Sequence, residues 1–126
     1  MGLDMYLGVT NITDAPSLSI SSVYWRKANA IHSWFVRECQ GGVDECQETD
    51  VPREMVVKLR DLCTLISKDP SLASRLLPPQ SGFFFGSTQI DEGYMDDITY
   101  TVTELDRVLA AAPDDGDWSF YYQSSW

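Results

Sequence analysis

The C-terminal stretch Trp118-Ser119-Phe120-Tyr121-Tyr122-Gln123-Ser124-Ser125-Trp126 constrains the fold more than any other part of the chain. A chain end is ordinarily polar and frayed, so one loaded with aromatic rings has to be tied down. Read with period two, Trp118, Phe120 and Tyr122 share one face and Ser119, Tyr121 and Gln123 the other, the pattern of a strand with an aromatic side. Such a strand completes a core. The remaining Gln123, Ser124, Ser125 and Trp126 set amide and hydroxyl groups beside an indole, which is chemistry suited to lining a pocket.

At the other end, Leu3, Met5, Leu7 and Val9 alternate with Asp4, Tyr6 and Gly8, predicting a strand with one apolar face that pairs centrally in a small sheet. Residues 10–19 have loop composition, and Ser21-Ser22 are placed to cap a following helix. The spacing of Trp25, Ala28, Ile31, Phe35 and Cys39 predicts that helix over 24–39, stopped by Gly41-Gly42. After an acidic loop over 43–50, Pro52 opens a second helix with Met55, Leu59, Leu62 and Ile66 as its core stripe. Asp69-Pro70 start a short helical turn that ends before Pro78-Pro79. A last helix over 92–112 carries Tyr94, Ile98, Val102, Leu105 and Leu109 inward, and Asp114 to Asp117 form a turn into the aromatic strand. The pattern predicts one α+β domain over 1–126: a small antiparallel sheet including the N- and C-terminal strands, packed against about three helices.

With 126 residues, 44% of them hydrophobic, and four tryptophans, the chain can bury an ordinary core without staples. No apolar run approaches the roughly 20 residues that cross a membrane, and the start lacks a basic secretory region, so no membrane partner and a cytoplasmic location are expected. The formal net charge of −10 repels long nucleic acid, because duplex binding depends on neutralising phosphates with Lys and Arg. Acidity serves solubility, or it mimics a polyanion in the basic groove of a nucleic-acid enzyme.

Signals for catalysis are weak. Cys39, Cys46 and Cys63 lack zinc-ligand spacing and fit reduced thiols, and His32 is the only imidazole. No nucleophile elbow, phosphate loop, dinucleotide fingerprint or metalloprotease motif occurs. No catalytic residue, metal or cofactor is therefore assigned. Paired carboxylates such as Asp96-Asp97 are sequence neighbours whose side chains point apart on a helix.

Binding chemistry is better represented. Arg26 offers a planar fork for phosphate, Lys27 a point charge, and Asn29 and His32 further hydrogen-bonding groups. Trp25, Phe84, Tyr122 and Trp126 can supply π-faces for a base. Ser81 and Phe84 belong to the segment Gln80-Ser81-Gly82-Phe83-Phe84-Phe85-Gly86-Ser87, in which three consecutive rings between glycines defeat any simple period. These residues, with Gln123, form the candidate ligand-binding set. A few recessed cations can outweigh a distant acidic surface at a Debye length of about 8–10 Å, so a compact anion is favoured over a long one. An exposed aromatic edge would also favour a homo-oligomer.

The blocks Met1-Gly2-Leu3-Asp4-Met5-Tyr6-Leu7, Tyr24-Trp25-Arg26-Lys27-Ala28-Asn29-Ala30-Ile31-His32 with Trp34-Phe35, Gln80 to Ser87, and Asp117-Trp118 with Phe120 to Trp126 resemble those of a family of small tailed-phage and prophage proteins. The resemblance covers both ends and the middle of the chain. It implies a short nonstructural phage-type protein working in the cytoplasm of a bacterial host, of a kind that acts against host systems. By analogy of context it implies a sponge that sequesters a small phosphorylated nucleotide signal without turning it over. Rival readings are an acidic nucleic-acid mimic that inhibits a host protein, a small nucleotide-processing enzyme using His32, and a phage assembly factor.

Overall fold

A computed structural model describes residues 2–11, 19–81, 88–112 and 118–126. The order of elements is β1 (Asp4–Asn11), β2 (Ser19–Arg26), α1 (Asn29–Cys39), β3 (Thr49–Val51), α2 (Arg53–Lys68), a 3-10 turn (Pro70–Leu72), α3 (Ala73–Leu76), α4 (Glu92–Ala111) and β4 (Trp118–Ser125). The strands form one antiparallel sheet in the order β2-β1-β4-β3, so the N- and C-terminal strands lie side by side at its centre. Mixed α+β architecture and the central position of β1 agree with the sequence pattern.

Strand alternation explains which face is covered. Met5, Leu7 and Val9 of β1 stand opposite Ser124, Tyr122 and Phe120 of β4, and Met5 and Leu7 also face Trp25 and Val23 of β2. All of these are buried, while Tyr6, Tyr24 and Gln123 on the alternate positions are exposed. The helices cover the apolar side: α4 packs on β2 and α2, and α1 on β3. Gly8 is needed on the other face, where the Tyr121 ring lies across it and a Cβ would come within 1.9 Å of that ring.

In α2 the buried stripe is Val56, Leu59, Cys63 and Ile66, with Met55 and Leu62 at its margin. Pro52 holds the N-cap position and Asp69 ends the helix. In α4 the Asp91 side chain accepts a hydrogen bond from the Tyr94 backbone N–H, capping the helix, and Tyr94, Ile98, Thr101, Leu105, Val108 and Leu109 are buried. Burial pushes the thiols of Cys63 and Cys39 up to about 12 and about 11, as expected of small packing residues rather than nucleophiles. Among the described residues no helix is long and apolar enough to cross a membrane.

Three expectations are corrected. The helix predicted over 24–39 begins only at Asn29, because Tyr24-Trp25-Arg26 continue β2, with Trp25 opposite Met5 and Arg26 opposite Asp4. Trp25 and Ala28 are three apart and satisfy a helical count, but Val23 and Trp25 buried against Tyr24 and Arg26 exposed is a period of two, and pairing with β1 decides between them. Ser21-Ser22 accordingly lie within β2, and α1 starts behind Ala28 with no side-chain cap. The acidic loop over 43–50 gives way at Thr49 to the short strand β3. The phenylalanine segment over 82–87, including Phe84, and the turn over 114–117 lie outside the described residues.

Candidate functional site

The change from β2 to α1 is made at Lys27, whose backbone N–H donates to the Leu3 carbonyl at 2.7 Å and whose φ is +55°. That conformation is uncommon for a residue with a side chain and carries backbone strain of about 1–2 kcal/mol. It turns the chain sharply enough for Arg26, Lys27, Ala28 and Asn29 to form one wall of a cavity of about 300 Å³. Gln89 and the start of α4, with Asp91, Gly93, Tyr94, Asp97 and Ile98, line the same cavity.

The cavity is lined by charges of both signs. Ion pairs among the described residues join His32 to Asp44, Arg60 to Asp61 and Asp106, and Arg107 to Glu104, and neither Arg26 nor Lys27 takes part in one. Asp97 is half-buried, and its carboxyl is pushed up to about 6, first by burial and then by repulsion from Asp96 and Asp91. Its backbone carbonyl accepts from the Thr101 hydroxyl at 2.7 Å, while among the described residues no hydrogen bond engages its carboxylate. Two cations and a carboxylate thus share a cavity, with no ion pair between them among the described residues.

Protonation of Asp97 has a consequence for stability. In the unfolded chain the carboxyl titrates near 3.8 and in the fold near 6, so between those values the native state binds more protons. Its contribution is fully present below about pH 4, is lost as pH rises to about 6, and stays lost above. The charged neighbours that act on it are Asp96 and Asp91, and the cations that line the same cavity are Arg26 and Lys27. Thermal unfolding of Asp97→Asn across pH 4–7 is expected to lack this declining limb and to gain about 1–2 kcal/mol at pH 7, after allowance for screening of a half-exposed group.

The other residues singled out in the sequence divide between the core and a separate polar chain. Trp25 is buried, and its indole N–H donates to the Thr101 hydroxyl at 2.9 Å. His32 is fully buried, with Nδ1 2.6 Å from the Tyr122 hydroxyl and Nε2 3.0 Å from an Asp44 oxygen. Because the carboxylate only accepts, the network assigns the proton to Nε2 and makes Nδ1 the acceptor for Tyr122. Burial holds the Tyr122 hydroxyl well above its ordinary pKa, with Asp44 adding to the effect, so it keeps the proton it donates. The other Asp44 oxygen accepts from the Trp126 indole at 3.1 Å, and the Gln123 amide donates to the Cys46 carbonyl at 3.2 Å. Ser81 is exposed, and its carbonyl accepts from the Gln80 side chain. Asn29 joins the two regions: it lines the cavity and its side-chain oxygen accepts from the Gln80 backbone N–H at 2.9 Å.

The structure therefore brings Arg26, Lys27 and Asn29 together and sets His32, Tyr122, Gln123 and Trp126 around the loop after α1. Sequence reasoning set Asp97 aside as one of a helical pair of carboxylates and did not single out Asp44. Asp97 had a usable signal: it stands three after Tyr94 and four before Thr101, on the margin of the inward stripe of α4. A further cavity of about 310 Å³ beside β3 and β4 includes Arg53, but that guanidinium is already engaged by the Leu109 and Ala112 carbonyls at the end of α4. Among the described residues no group of His, Cys, Asp and Glu could hold a metal ion. No family model matches the chain, and neither a curated protein nor a solved structure matches it.

Proposed function

We propose that the chain is a non-enzymatic binding protein that sequesters a small phosphorylated nucleotide, a counter-defence sponge of phage type. The carrying observation is the cavity between the β2–α1 junction and α4, lined by Arg26, Lys27 and half-buried Asp97. Arg26 and Lys27 meet the phosphate, Asn29 lies beside them, and the carboxylate wall takes N–H groups of the base. About 300 Å³ is at the small end of ligand pockets, which suits a mononucleotide.

Mass spectrometry of small molecules released by heating the washed protein tests the reading directly: an intact nucleotide supports it and a converted product refutes it. Arg26→Ala is expected to lose at least about 1.5 kcal/mol of nucleotide affinity, the worth of a charge-assisted hydrogen bond. Lys27→Gly separates charge from fold, since glycine adopts φ +55° without strain. Its stability should stay within about 1 kcal/mol of the parent, relief of strain offsetting the greater entropy of the unfolded chain, while affinity falls. Unchanged affinity in both variants removes the cavity as the site.

A further inference from the structure

If the cavity holds a nucleotide with its phosphate at the cations, other lining groups have to read its base, and the inference rests on that reading. Asp97 and Asp91 line the same cavity. One Asp91 oxygen is occupied by the Tyr94 backbone N–H as the helix cap, whereas among the described residues neither Asp97 carboxylate oxygen is hydrogen-bonded, so Asp97 is the one that can accept two donors. An ionised carboxylate only accepts hydrogen bonds, and its two oxygens suit two parallel donors.

Base edges differ in what they offer such a group. Guanine presents its ring N1–H beside its exocyclic amino group, two donors side by side. Adenine and cytosine each present an amino group beside a ring nitrogen that accepts, which sets a lone pair against one carboxylate oxygen. Uracil has one N–H between two carbonyl acceptors. We propose that Asp97 is a specificity-determining acceptor that selects guanine, so that the cavity takes a guanosine monophosphate with its phosphate at Arg26 and Lys27. A donor-bearing partner also compensates a half-buried carboxylate that has no hydrogen-bond donor among the described residues.

Calorimetric titration of the full chain at pH 7.5 with guanosine 5′-monophosphate, adenosine 5′-monophosphate and inorganic phosphate tests this. Guanosine monophosphate is expected to bind at least about tenfold tighter than the adenine nucleotide, the size of one good donor–acceptor match. Asp97→Asn should fold at least as stably as the parent and reduce the preference below about threefold, because an amide replaces one acceptor with a donor. Arg26→Ala should weaken both nucleotides and leave their ratio unchanged. Equal affinity of the parent for the two nucleotides, or a preference that survives Asp97→Asn, overturns the assignment to Asp97 while the nucleotide reading stands. Binding of neither nucleotide overturns the nucleotide reading itself.

Discussion

Tyr122→Ala is expected to cost about 3–5 kcal/mol of stability, the range for removing a large aromatic ring from a packed core. The ring is fully buried, lies 4.0 Å from that of Phe35 at an interplanar angle of 11°, and occupies the β4 position opposite both Leu7 and Thr49. Its removal opens a void where the central strands, α1 and β3 meet. Tyr122→Phe preserves that packing and tests the hydroxyl alone. It leaves the Nδ1 atom of buried His32 without its donor, a loss of about 1–3 kcal/mol. Denaturant unfolding measures both, and a loss below about 1 kcal/mol for the alanine variant would refute the core role. Nucleotide affinity of Tyr122→Phe should match the parent, since Tyr122 does not line the Arg26–Asp97 cavity.

Much of this architecture is legible residue by residue where local pattern and tertiary demand agree. β4 reads correctly because Phe120, Tyr122 and Ser124 face the core at every second position, and the stripe of α2 because Leu59 and Ile66 recur at helical spacing. β2 is illegible for the opposite reason. Trp25, Ala28 and Ile31 also fit a helix, and only pairing with β1, more than fifteen residues earlier in sequence, makes residues 23–26 a strand. The candidate site suffers from the same non-locality. Arg26 and Lys27 stand out as cations, but Asp97 is brought into the same cavity by the packing of α4 on β2. Asp44 likewise reads as one more charge in an acidic loop until the fold brings it to His32 and Trp126.

The same ambiguity at Trp25 yields the second large effect. As a strand residue it is 2% exposed, packs edge-on against Phe35 with ring centroids 6.0 Å apart, and bonds to Thr101. Trp25→Ala should therefore cost about 3–5 kcal/mol, comparable to Tyr122→Ala. Trp25→Phe keeps part of the ring and removes the indole donor, with an expected loss of about 1–3 kcal/mol. The Thr101 hydroxyl that accepts from Trp25 also donates to the carbonyl of Asp97, so Trp25 supports the helical turn that carries the carboxylate without lining the cavity. A ring that stacks on a ligand would lose affinity on substitution and little stability. A ring that supports the turn shows the reverse: Trp25→Phe should unfold at lower denaturant while its nucleotide affinity stays within about threefold of the parent, less than one tenfold step in binding energy. Lost affinity at unchanged stability would return Trp25 to the ligand and move the pocket to the core side of β2.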